Sequence, residues 1–144
     1  KSLGVIYASS SGLIVTGNAK KSESKATQLT EKQITSLLKK ACKFAEKEEM
    51  ELSFTSPGWV AEETLRELKL DIPSCGACLS NMAISPDGNV MPCQSWLGKD
   101  ASLGNILEKK WNKIWENTKC KKIRKASSKV SYKCPLRGGK ANEK

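Results

Sequence analysis

The feature that most constrains this chain is Cys75-Gly-Ala-Cys78, followed 15 positions later by Cys93, with a strand-turn-strand pattern between them. Met82 to Ser85 and Asn89 to Cys93 read as short strands. Pro86-Asp87-Gly88 carries turn chemistry: Pro pre-sets φ, Asp bonds its own backbone and Gly accepts positive φ. A hairpin rooted this way brings Cys78 and Cys93 toward its open end, with Cys75 close by in the preceding loop. Cys134-Pro lies beyond a helical stretch and can fold back onto the same mouth. Four thiolates gathered there suit a tetrahedral all-cysteine zinc site or a [4Fe–4S] cubane, and the spacing fits both.

The other residue types narrow the chemistry. Six cysteines and no histidine in 144 residues exclude His-containing zinc sites and His-based general acid–base catalysis, so cysteine must supply the soft-metal ligands. Six cysteines in a short basic chain also suit a secreted disulfide scaffold. The helices and strands are long enough to build a core without staples, however, and a reducing cytoplasm fits metal-binding thiols better. Cys42, inside a helical pattern, reads as a small packed hydrophobe. Cys120 falls in a lysine-rich run, whose ammonium groups favour a reactive thiolate; it reads as structural, with ligand duty second. The net charge of +10 is nearly all lysine, with Arg66, Arg124 and Arg137 the only arginines. Bidentate phosphate or base readout favours arginine, so the charge reads as solubilising and nucleic acid is not the expected partner. No apolar run approaches the ~18 residues of a membrane span.

In order along the chain, Leu3 to Ser9 reads as a strand opening into Ser10-Ser11-Gly12, with Leu13 to Thr16 a second strand or part of the loop. Gly17 to Gln28 is polar and mobile in character. Thr30-Glu-Lys-Gln33 is a capping box. The helix behind it places Ile34, Leu37, Leu38, Ala41, Phe44 and Ala45 on an apolar face. Glu51 to Thr55 reads as a strand, Ser56-Pro57-Gly58 as a break, and Trp59 to Leu70 as a shorter helix. Strand, helix, strand, helix implies parallel strands with crossover helices. A second capping box at Asn105-Ile-Leu-Glu108 opens a helix that buries Leu107, Trp111, Ile114 and Trp115. Thr118 to Ala126 continues as helix, and the residues after Cys134 read as a disordered tail.

Cys-x-x-Cys, Ile84-Ser-Pro-Asp-Gly-Asn-Val-Met-Pro-Cys93, Leu103-Gly-Asn-Ile106 and Ile114-Trp115, in that order, resemble the C-terminal extension of radical S-adenosylmethionine (SAM) enzymes. That extension is the SPASM or shorter twitch domain, which carries auxiliary [4Fe–4S] clusters. The resemblance covers roughly residues 73 to 137. It implies cluster-ligand positions for Cys75, Cys93 and Cys134, with Cys78 as the fourth ligand of single-cluster variants. The further cysteines of a second auxiliary cluster are missing after Cys134.

The implied fold is α/β, with residues 1–72 the closing strands and helices of a partial (β/α) barrel and residues 73–144 a SPASM/twitch-like β-hairpin plus helix domain. In such a barrel the loops at Ser9 and Ser11, and at Ser56 and Trp59, face SAM or substrate. The Cys-x-x-x-Cys-x-x-Cys loop of the SAM-binding cluster is absent, and the chain starts at Lys1-Ser-Leu-Gly. The expectation is therefore a fragment with no catalytic residue of its own, inactive alone. SAM and a second [4Fe–4S] cluster belong only to the intact enzyme. Its auxiliary cluster binds substrate or passes an electron while a peptide, protein or small molecule is modified. The competing reading is a basic module for peptide or nucleic acid, stabilised by zinc on four cysteines.

Overall fold

A computed structural model describes residues 3–20, 28–96, 99–129 and 132–137. Residues 21–27 of the expected polar loop, and the tail beyond 137, lie outside the described residues.

The N-terminal half begins with β1, Tyr7–Ser10. Leu13 to Thr16 form no strand, and a turn of 3-10 helix follows at Gly17–Lys20. The capping box then starts α1, Glu31–Lys47: Thr30 Oγ1 accepts from Gln33 N at 3.3 Å while Gln33 Oε1 accepts from Thr30 N at 2.9 Å. Glu49 adopts φ +51 and reverses the chain into β2, Glu51–Phe54. β2 pairs with β1 in parallel, with Tyr7 opposite Glu51 and Ser10 opposite Phe54. This is the predicted crossover unit. α2 is shorter than the pattern suggested, spanning only Glu62–Glu67.

Ile34 and Leu38 of α1 pack with Phe54, Trp59, Val60, Leu65 and Leu70 to form one hydrophobic cluster. Two residues expected on the buried face are exposed instead. Leu37 is 53% and Phe44 60% exposed, because a helix laid over only two strands buries a narrow stripe and leaves its flank open.

The second half centres on the hairpin. β3 is Ala83–Ile84 and β4 is Asn89–Met91, paired antiparallel. Gly88 N–H closes the turn onto Ser85 O at 2.8 Å, and Gly88 sits at φ +83, the freedom for which glycine was expected there. A third strand that the sequence pattern did not reveal, β5 at Gly104–Asn105, adds to β4. The second capping box does not form. Asn105 instead donates through Nδ2 to Asp87 O at 2.8 Å and accepts from Leu107 N at 2.8 Å, making a turn against the hairpin tip. The helix starts later, as α3 at Trp111–Trp115, and Leu107 is 81% exposed rather than buried.

α4, Thr118–Ser127, is a separate helix with its own cap. Asn117 Oδ1 accepts from Cys120 N at 2.7 Å while its Nδ2 donates to Leu103 O at 2.7 Å. Cys78, Val90, Leu103, Ile114 and Cys120 form the second cluster, with Met82, Trp115 and Ile123 packed against it. Two links close the structure. Ser127 Oγ donates to Ala77 O at 2.7 Å, tying α4 to the loop before the hairpin. Cys134 N donates to Pro57 O at 3.2 Å, and its side chain packs on the first cluster.

Candidate metal centre

The loop carrying Cys75 and Cys78 is wound on one carbonyl: Gly76 O accepts from Leu79, Ser80 and Asn81 N–H at 2.9 to 3.0 Å. A Cβ at position 76 would meet the ends of the Ser80 and Asn81 side chains at 2.3 Å, so both would have to shift to admit one. Cys78, at φ +56, hangs the loop on the hairpin mouth, its N–H shared between Asn81 O (3.1 Å) and Pro92 O (3.0 Å). Cys93 follows directly after that mouth, and Cys134 arrives from the far end of the described chain.

Three of the four expected ligands stand within one another's electrostatic reach. Burial pushes the Cys93 thiol up, while the N–H groups of Ser95 and Trp96 point at its sulfur and Cys75 adds a further upward push. Burial likewise raises Cys134, whose sulfur receives the N–H groups of Leu136 and Arg137 and feels both Cys75 and Cys93. Backbone N–H groups aimed at sulfur stabilise thiolates and are among the levers that set iron–sulfur potentials.

Cys78 is placed differently. Its backbone belongs to the mouth, but its thiol is fully buried in the second cluster against Cys120, also fully buried. Burial first, then the hydrogen bond to Cys120, pushes Cys78 from 9.0 up to about 12, with Arg124 opposing and Cys93 adding slightly. All six cysteines are free thiols. Cys42, on α1, packs on the first cluster; burial alone raises its thiol, and none of the other cysteines acts on it. Among the described residues no three Cys, Asp or Glu side chains are gathered tightly enough to hold a metal ion as they stand.

The loop residues expected to face SAM or substrate divide into two kinds. Ser9 and Ser11 are exposed. Ser56 and Trp59 are buried and used within the fold: Ser56 Oγ accepts from Gly12 N at 2.7 Å, and the Trp59 ring lies so close to Gly12 that a Cβ there would meet it at 2.2 Å. Two residues near the thiols were not singled out from sequence. Tyr132 is raised by burial and by Cys75, Cys134 and Cys78, and it lines a cavity of about 270 Å³ with Val60, Pro73 and Lys133. Its one signal was its place two positions before Cys134. Arg124 was one of only three arginines in a lysine-rich chain.

Residues 71–135 match the family model described as SPASM, an iron-sulfur cluster-binding domain. Residues 71–135 are a SPASM domain. No curated protein and no solved structure matched the chain. The SPASM domain therefore contains the hairpin, β5, α3, α4 and every cysteine except Cys42. It implies an iron–sulfur cluster, and the donor set fits one: thiols without competing His, carboxylate or disulfide partners, two of them already receiving backbone N–H groups. Among the described residues no helix is long and apolar enough to cross a membrane.

The raised thiols have a measurable consequence for the metal-free protein. Folding favours the protonated form of Cys78, so its contribution to stability is fully present below about pH 9 and is lost as pH climbs toward 12. Thermal melts should show wild type losing stability over that window more steeply than Cys78→Ala. Parallel profiles for the two proteins would contradict the assignment.

Proposed function

We propose that the SPASM domain holds an auxiliary [4Fe–4S] cluster through Cys75, Cys93 and Cys134, with Cys78 as the fourth thiol. The chain is then the C-terminal portion of a radical SAM enzyme, and its β1–α1–β2 unit closes a partial (β/α) barrel. The observation that carries this reading is the joining of the SPASM match to three thiols in mutual reach, with amide N–H groups on two of the sulfurs. The parallel crossover of β1 and β2 supports the barrel. Such a cluster, when bound, supplies an electron-transfer centre or an iron that takes up a substrate donor atom.

The protein's own groups have plain tasks in this scheme. The Gly76-centred loop and the hairpin orient the thiols, and the two hydrophobic clusters keep water from their inner side. The cavity lined by Tyr132 and Lys133, which precede Cys134 in the chain, is the place for a peptide, protein or small-molecule substrate. The partner is the N-terminal half that binds SAM and its own cluster, and the setting is the reducing cytoplasm.

The test is anaerobic reconstitution of the full chain with ferrous iron and sulfide, followed by iron, sulfide and zinc analysis and the visible spectrum. The expected result is about four irons and four sulfides per chain, with a broad absorption that bleaches on reduction. One zinc with no sulfide would overturn the reading and make the domain a zinc-stapled module. Zinc needs its sulfurs at about 2.3 Å from one point.

A further inference from the structure

The net charge of +10 is not spread evenly over the fold. Residues 106–129, which carry α3 and α4, hold eight lysines and Arg124 against only Glu108 and Glu116, a net of +7. All eight lysines are exposed, because the inner side of this helix pair is taken by Ile114, Cys120 and Ser127. Of the eight, only Lys121 reaches a carboxylate among the described residues, that of Glu116 at 2.7 Å. Lys119 is occupied by the carbonyls of Asp100 and Ser102. No anion among the described residues answers the rest, and like charges crowded on two short helices repel one another.

A large aromatic ring stands among these charges. Trp111 opens α3 directly after Lys109 and Lys110 and two positions before Lys113. Its ring stacks on Trp115, with centroids 5.8 Å apart and planes at 26°. Trp115 is held in turn by Arg124, whose guanidinium carbon lies 3.7 Å from the ring centroid and whose Nη2 donates to Trp115 O at 2.9 Å. The stack fixes Trp111, yet 42% of it stays exposed. A rigid ring open to solvent loses little freedom when a partner covers it, and Trp is among the residues most enriched as interface anchors.

Arg124 itself is not offered to a partner. Its Nη1 is buried and its Nη2 is engaged, so the fork that grips phosphate bidentately is turned inward. Lysines alone carry the outward charge, and these helices have one open ring, too few to stack successive bases of a nucleic acid. Ammonium groups around a single apolar anchor match carboxylates around a single inserted side chain. We propose that α3 and α4 form a docking face for an acidic polypeptide segment, whose carboxylates meet Lys109, Lys110 and Lys113 while one of its aromatic or apolar side chains covers Trp111. The face is made by the chain's own side chains with or without a cluster, so it stands apart from the metal-centre reading.

The test is fluorescence anisotropy of the metal-free full chain with a dye-labelled, glutamate-rich peptide bearing one central phenylalanine, at about 0.15 M salt, where distant charges are screened. Wild type is compared with Trp111→Ala and with two triple variants that remove equal charge. One carries Lys109→Gln, Lys110→Gln and Lys113→Gln; the other carries Lys32→Gln, Lys40→Gln and Lys47→Gln, at exposed lysines of α1. Trp111→Ala and the α3 triple are each expected to weaken binding at least about tenfold, the α1 triple less than about twofold. A peptide with alanine in place of its phenylalanine should bind wild type about as weakly as Trp111→Ala binds the parent peptide. If Trp111→Ala does not fold, that peptide decides, because it removes the same contact from the other side. Equal weakening by both triples, with no effect of the ring on either side, would show attraction by net charge alone and overturn the proposal. So would a wild-type chain that ignores the peptide, or one that binds single-stranded oligothymidylate more tightly and through Trp111.

Discussion

Replacing Cys93 by Ala is expected to lower the iron and sulfide content of the reconstituted chain at least about tenfold, since even the partners that merely orient a metal ligand are worth 10- to 100-fold. Cys93 is the best-connected thiol of the centre. It follows the hairpin mouth directly, its sulfur receives the N–H groups of Ser95 and Trp96, and it feels Cys75 while acting on Cys134. Cys75→Ala and Cys134→Ala should show the same loss, because each comes from a different segment and none can stand in for another. Cys42→Ala should load as wild type, since its thiol sits on α1 and is raised by burial alone, with no other cysteine acting on it. Element analysis with the visible spectrum of the four variants checks this. Normal loading by Cys93→Ala would mean that the thiols gather for packing alone.

The largest loss of stability is expected from Ile114→Ala, about 3 kcal/mol, within the range for truncating a buried Ile. Ile114 is fully buried in the cluster of Cys78, Val90, Leu103 and Cys120. It also backs β5, where a Cβ on Gly104 would meet its Cγ1 at 3.2 Å. The cavity left by truncation is walled by a strand, a hairpin and α4, which cannot all close on it. Ile114→Val should cost only about 1 kcal/mol. Urea unfolding of the metal-free protein checks both, and equal losses from the two variants would show that the site collapses freely. The cost also bears on the candidate centre, since the same cluster holds Cys78.

Much of the architecture was legible because it is local. The Thr30 capping box, the Gly88 turn and the alternation of strand and helix through Phe54 are decided by residues within a few positions of one another, and the structure forms each of them. The second capping box failed for a reason that is not local. Asn105 has a better use pairing in β5 and bonding Asp87, so the Asn-Ile-Leu-Glu pattern never opens a helix. Leu37, Phe44 and Leu107 were expected inside on helical spacing, yet spacing cannot say how wide a surface the helix will meet.

The thiols divide along the same line. Sequence by itself determined that a chain without histidine has cysteine to offer as its soft-metal ligand, and that Cys75, Cys78 and Cys93 flank one hairpin, because loop and turn chemistry act over short range. Only the tertiary structure decided which way each sulfur faces. The positive φ of Cys78 and the packing of α4 turn its thiol toward Cys120, and the Cys134 N–H reaches Pro57 across the fold. Those choices depend on contacts between residues far apart in the chain, and their energies are settled by packing that no local pattern encodes.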